Sequence, residues 1–180
     1  MASIIKANEL QDFGGNSILT SDGAGVVTVN AAAMKNTPSF FAYMSGDTNI
    51  SNQTATKVQF NTEDLDTDNC YDNTTNYRFT PTVAGKYYIG TMLTQQGGTS
   101  NLIESRIYIY KNGSVYSYSY QANQNNHSNY QTNYQSVIMD MNGTSDYVES
   151  FAYISRGGST SAVLAHTRGT YFMGYRIIGA

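Results

Sequence analysis

Residues 71–90, YDNTTNYRFTPTVAGKYYIG, restrict the fold more than any other stretch of the chain. Asp72–Asn76 is a tight polar turn, followed by a short extended run that carries Phe79. Pro81–Gly85 forms a second corner and feeds an aromatic-rich strand that starts at Lys86. Asn, Asp, Thr, Pro and Gly sit where the backbone must reverse, and aromatic and β-branched residues sit where it must extend. A helix of useful length has no room between such corners. The stretch therefore demands antiparallel strands joined by short turns.

The remainder reads the same way. Phe40–Ser45 and Thr56–Phe60 are predicted strands, and Ile103–Tyr110 alternates cleanly, with Ile103, Ser105, Ile107 and Ile109 on one face and Glu104, Arg106, Tyr108 and Tyr110 on the other. Lys111-Asn112-Gly113-Ser114 is a hairpin signal of the Asn-Gly type, and Val115–Gln121 returns from it. Ala122–Tyr134 is expected to be a long Asn/Gln-rich loop. Strands resume at Ser136–Met141 and Tyr147–Ser155. Beyond the break at Arg156-Gly157-Gly158-Ser159 they continue with a short one at Ala162–Ala165 and a last one at Tyr171–Ile178. No window sustains a helical period; Ala31-Ala32-Ala33-Met34 alone is helix-like, and Pro38 stops it. Short strands at this spacing predict an all-β antiparallel sandwich of jelly-roll type.

Residues 1–38 are of a different kind. Ile18-Leu19-Thr20 and Val26–Val29 flank the turn Ser21-Asp22-Gly23-Ala24-Gly25 and form a polar ribbon. A two-stranded ribbon is marginal in water and needs partners. The segment reads as an oligomeric stalk or anchoring peg, with a flexible linker as the alternative, and residues 39–180 as the head.

Charged residues make up only 13% of the chain, against a usual share of roughly 25%. The net charge of −3 lacks the basic footprint of a nucleic-acid binder. No window is long and apolar enough for membrane insertion. The N-terminus MASIIKANEL lacks the pattern of a signal peptide, and the single cysteine, Cys70, forms no internal disulfide. Both predict assembly in a reducing cytosol. The sequons at Asn49, Asn52, Asn73, Asn112, Asn126 and Asn142 then read as turn residues.

The order Phe40-Phe41-Ala42-Tyr43, Lys57-Val58-Gln59-Phe60, Tyr71-Asp72, Phe79-Thr80, Gly85, Tyr87-Tyr88 resembles the globular-head domain of complement component 1q, within the tumour-necrosis-factor-like jelly-roll superfamily. Lys111-Asn112-Gly113, Gly143–Val148 and Phe172-x-Gly174-Tyr175 extend the resemblance over residues 39–180, although Pro81 lies nearer Phe79 than the pattern usually has it. The resemblance implies a compact homotrimer with both termini at its base. The collagen stem of many members is missing. NSILTSDGAGVVTVN is similar to the leaders of marine bacteriophage fibre and appendage proteins. Together the two resemblances imply a virion protein assembled in the host cytoplasm, a homotrimer that meets other virion proteins through residues 1–38.

Catalytic and metal chemistry find little footing. Asp64, Asp66 and Asp68 alternate as in a calcium loop, but Asn69 stands where that loop needs Gly and Thr75 where it needs Glu. A solvated acidic loop is the plainer reading, with a weak calcium site as the alternative. His127 and His166 lack neighbours at zinc-ligand spacing. Cys70 as a nucleophile, or Glu63, Asp64 and Asp66 as glycosidase carboxylates, would need partners that the spacing does not supply. No cofactor or enzyme activity is expected.

Tyrosines dominate the candidate recognition chemistry. Tyr116, Tyr118 and Tyr120 alternate with serines and share one strand face, close to Tyr108 and Tyr110. That face packs in the core or between subunits, or serves recognition. Tyr130 and Tyr134, with His127 and Asn129, are placed in the polar loop as receptor contacts. Tyr gives apolar area with a polar tip, and Asn and Gln suit sugar hydroxyls. The expectation is a non-enzymatic adsorption head that binds a host polysaccharide or outer-membrane protein. The alternative is a capsid decoration or head-fibre protein.

Overall fold

The computed structural model of the chain describes residues 7–31, 34–97, 101–123, 128–157, 160–164 and 168–179. Among these residues there is no α-helix, and no helix long and apolar enough to cross a membrane. The N-terminal part is a three-stranded antiparallel meander of β1 (Glu9–Gln11), β2 (Ser17–Ser21) and β3 (Val27–Val29). The third strand, Glu9–Gln11, was not expected from the sequence. Asp12 closes the first turn by accepting the Asn16 amide at 2.8 Å, and Asp22 closes the second by accepting those of Ala24 and Val26. None of the ribbon's strands is buried, and none pairs with a strand of the head.

From Ser39 the chain builds two facing sheets. The first comprises β4 (Ser39–Tyr43), β5 (Thr48–Ser51), β7 (Thr62–Asp66), β10 (Gly85–Gln96), β13 (Tyr130–Met141), β15 (Thr160–Leu164) and β16 (Tyr171–Arg176). β10 is its axis, with β13 along one edge and β16 and β15 in succession along the other; β16 leads on to β4 and β7, and β15 to β5. The second sheet runs β12 (Ser114–Ala122), β11 (Leu102–Lys111), β14 (Val148–Arg156), β9 (Arg78–Phe79) and β8 (Tyr71–Asp72), with β6 (Thr56–Lys57) also on β14. All of this pairing is antiparallel.

The sequence's strongest signals act as physical chemistry requires. Asn112 and Gly113 have φ of 51° and 77°, the two left-handed positions of a hairpin turn whose twist matches its strands. Asn112 also accepts the Tyr147 amide at 2.9 Å and donates to Asp146 at 2.7 Å. Asp72 accepts the amides of Thr74, Thr75 and Asn76, so the turn after β8 needs no other backbone partner. Between the sheets, Phe40 stacks on Tyr71 at 4.9 Å and Phe79 at 4.4 Å, and meets Phe172 edge-on at 4.9 Å. Each fully buried ring or aliphatic chain here stabilises the fold by about 1.5–3 kcal/mol.

The other end of the interior is polar. Ser105 donates to Gln131 at 2.8 Å, Asn133 donates to Ser105 at 2.8 Å, and Gln95 donates to the Arg106 carbonyl at 3.1 Å. All four side chains are buried, so this network is held by mutual satisfaction.

Several expectations need correction. Ala122–Tyr134 is not one loop, since β13 begins at Tyr130. The acidic stretch is a loop only in its second part, because Thr62–Asp66 is strand β7 and the exposed bend begins at Thr67. Thr48–Ser51, not foreseen, is an edge strand that buries only Ile50. The strand predicted at Thr56–Phe60 is reduced to Thr56–Lys57. A register shift between Leu102 and Glu104 turns Ile103 outward, 50% exposed, and buries Leu102 instead. The helix-like run falls partly on residues 32–33, outside the described residues.

Candidate functional site

Alternation on the two sheets sends one set of side chains into the core and the other outward, giving the head two outward faces. Both are rich in tyrosine, and they differ in chemistry.

On the six-stranded sheet, register lines the outward residues into cross-strand rows. Tyr118 faces Tyr108, Tyr108 faces Phe151, and Phe151 faces Lys57. In the adjacent row Tyr120 faces Arg106 and Arg106 faces Tyr153. The Tyr108 and Tyr118 rings lie 5.9 Å apart, Tyr108 and Tyr110 6.0 Å apart, and Tyr110 stacks on Phe151 at 4.1 Å. The Arg106 guanidinium is flanked by Tyr120 at 5.1 Å and Tyr153 at 5.0 Å, a double cation–π arrangement. It also pairs with Glu104, and Lys57 pairs with Glu149. Tyr116, Tyr118 and Tyr120 are 49%, 57% and 55% exposed, which corrects the reading that places this face in the core.

The seven-stranded sheet presents a more apolar face. Across it lie Ile138, Tyr88 and Tyr175 in one row, Met173, Phe41 and Leu65 in the next, and Tyr134, Met92 and Tyr171 in the third. Tyr88 stacks on Tyr175 at 5.3 Å, and Phe41 on Tyr171 at 5.2 Å. Tyr134 leans over Gly90 to share a hydrogen bond with the Tyr88 hydroxyl. A Cβ at Gly90 would stand 2.8 Å from the Tyr134 oxygen, so glycine keeps that passage open. Burial first, and the Tyr88 contact second, push the Tyr134 phenol up to about 12. Burial also raises Tyr171, so neither phenol carries charge near neutral pH. Phe41, Leu65, Met173 and Tyr175 border an apolar groove of about 300 Å³.

Tyr130 and Tyr134 thus lie on a strand, and the structure does not gather the sequence-predicted receptor residues into one loop. Tyr130, 54% exposed, accepts a hydrogen bond from Gln96 at 3.0 Å beside the exposed Asn129. His127 and His166 lie outside the described residues. The apolar face had been missed because its members are scattered over five strands, and only pairing brings them together.

The acidic residues are committed elsewhere. Asp64 pairs with Arg168 at 2.8 Å. Asp66 accepts the amides of Cys70 and Tyr71 at 2.9 and 3.0 Å, and Asp68 accepts the Thr67 hydroxyl at 3.3 Å. Among the described residues no group of three His, Cys, Asp or Glu side chains is placed to hold a metal ion. Glu63 borders an open cleft of about 510 Å³ with Asp72, Asn76 and Arg78. Burial and then the nearby Asp66 and Asp72 raise its carboxyl. Cys70 is buried, and burial raises its thiol, which keeps it protonated and a poor nucleophile.

No family model and no curated protein sequence matches the chain. Solved structures do. Eiger TNF from S. frugiperda superposes with a TM-score of 0.59 at 6% identity, over 79% of this chain and 92% of that one. The globular domain of zebrafish complement 1qA gives 0.53 at 17% identity, over 78% and 97%. Murine APRIL at pH 5.0 gives 0.58 at 8% identity, over 77% and 98%. At these identities the likeness establishes the fold, a jelly roll of the tumour-necrosis-factor and complement 1q kind.

Proposed function

We propose that three copies of this chain form the head of a non-enzymatic bacteriophage fibre or appendage protein that adsorbs to the host surface. The observation that carries the reading is the apolar outward face of the seven-stranded sheet. A contiguous face built from Tyr88, Met92, Tyr134, Ile138, Tyr171 and Met173 is the kind of surface that a soluble protein covers with a partner. Among the described residues the long β13 edge beside it pairs as a strand only with β10, which adds backbone groups in need of cover. Cyclic closure of three heads satisfies both demands, and the fold it shares with tumour-necrosis-factor-like proteins supports that number. In this reading Tyr134 serves assembly, and Tyr130, the first residue of β13, and Asn129 just before it serve receptor contact.

Two further observations support the virion setting. The leader NSILTSDGAGVVTVN resembles those of phage fibre proteins. Together with residues 9–15 it folds into a ribbon that leaves Leu10, Phe13, Val26 and Val27 exposed, as a segment made to dock on other virion proteins would. A non-catalytic role agrees with acidic side chains tied into turns and ion pairs, and with a protonated thiol.

Immunogold electron microscopy of intact particles, with antibody against the head, tests the reading. Label on the tail or on distal fibres is expected. Label spread over the capsid would favour a decoration protein, a reading to which the fully exposed Phe13 at the ribbon's first turn lends weight as a clamp. Particles without label would overturn the virion assignment.

A further inference from the structure

We infer that the outward face of the six-stranded sheet binds a neutral polysaccharide, lying across the rows Tyr118–Tyr108–Phe151 and Tyr120–Arg106–Tyr153. The inference deepens the adsorption reading and rests on it for its biological setting.

The face differs from the assembly face where it matters. Charged side chains stand among its rings, and its most exposed members, Tyr118 and Tyr120, end in hydroxyls. An amphipathic ring offers a flat apolar surface to the C–H face of a sugar and a donor and acceptor to its hydroxyls, at low entropic cost. Arg106 is held flat by two rings and by Glu104 and Tyr108, whose hydroxyl accepts from it at 3.4 Å. Its guanidinium carries five N–H donors, of which those two contacts occupy a part, so a ring oxygen or hydroxyl can still be received.

Charge selects the class of ligand. Arg106 already faces Glu104 and Lys57 already faces Glu149, so the rows carry no uncompensated cation to attract an acidic polymer. Burial raises the Tyr110 phenol, which adds no anion at neutral pH. The repeat fits a polymer better than a single small molecule. Tyr118 and Tyr120 are two residues apart on one strand, roughly 7 Å, and each heads a row that crosses neighbouring strands about 4.8 Å apart. Tyr120 and Tyr118 lie on β12, which among the described residues pairs as a strand only with β11, so a chain can enter from the side of the sandwich.

Affinity electrophoresis of the full chain in native gels tests this, with dextran, mannan, laminarin and galactan as neutral probes and alginate as the acidic one. Retardation is expected in at least one neutral gel and should survive added salt, since no ion pair is involved. Tyr118→Ala/Tyr120→Ala should weaken it on the order of tenfold or more, with solution mass and circular dichroism unchanged, because both rings face solvent. Tyr118→Phe/Tyr120→Phe should keep most of it, and Tyr130→Ala all of it. No retardation by any neutral probe, retardation by alginate alone, or an unaffected double Ala variant would each overturn the site. Distal gold label combined with retardation by alginate alone would preserve the adsorption reading and discard this ligand. Capsid label with retardation lost in the double Ala variant would preserve the site and discard adsorption.

Discussion

Asp72 accepts three consecutive backbone amides and the Asn76 side-chain amide, and these bonds, led by the one from Thr75, hold its carboxyl well below the usual carboxylate range. A folded value below the unfolded one means that the contribution is complete above about pH 4 and is lost as pH falls through the folded value. Asp72→Ala should therefore cost roughly 1–2 kcal/mol at neutral pH in a urea titration, and the loss should shrink toward pH 2. An equal loss at both pH values would show that the carboxylate's charge is not what holds the turn. Gly143, at φ +70°, is a stricter case, since an added Cβ would lie 2.3 Å from the Ala84 nitrogen. Gly143→Ala should cost about 2 kcal/mol or more, measured in the same way. Both positions belong to turns whose residue types announced them in the sequence. Asn133 did not announce itself. Buried, and bonded to Ser105 and Gln95, it should lose about 1–3 kcal/mol on change to Ala, because the Ser105 hydroxyl and the Gln95 amide oxygen each lose a buried donor.

At the scale of the element, what was legible depended on what each strand buries. β10, β11 and β14 bury apolar side chains at alternate positions, and the start of β10 and both ends of β11 and β14 were readable to within a residue. The first half of β13 points Gln131 and Asn133 inward, so its alternation is polar against polar, and hydropathy gives no period to read. β7 and β5 are short strands at the margins of their sheet, where one or no side chain is deeply buried, and they too were silent. The tyrosine alternation on β12 was visible, but which side of the sheet it faced depended on pairing with β11, a non-local fact. The apolar face across β13, β10, β16, β4 and β7 was illegible for the same reason. Among the described residues the N-terminal ribbon shares no strand pairing with the head. Removal of residues 1–38 should therefore leave the head's β-sheet circular dichroism and thermal transition in place, while abolishing incorporation into particles. A head unfolded by that truncation would contradict the division of the chain at residue 38.

For the whole molecule, the proposed function divides the work between the two faces. One is apolar, bordered by an unpaired edge, and suited to self-association; the other is amphipathic, internally charge-balanced, and suited to a soluble ligand. Ile138→Asp sets an unpaired charge among Tyr88, Tyr134 and Tyr175, at a position 56% exposed in the single chain. It should leave one chain folded and disrupt the assembly, because burying that carboxylate at an interface costs several kcal/mol. Sedimentation equilibrium of the full-length protein tests this division most directly. A single species of about three times the 19.8 kDa chain mass is expected, reduced toward one chain by Ile138→Asp but not by Tyr118→Ala/Tyr120→Ala. A wild-type mass near 19.8 kDa, or a trimer indifferent to Ile138→Asp and dissociated by the Tyr118 and Tyr120 changes, would contradict it.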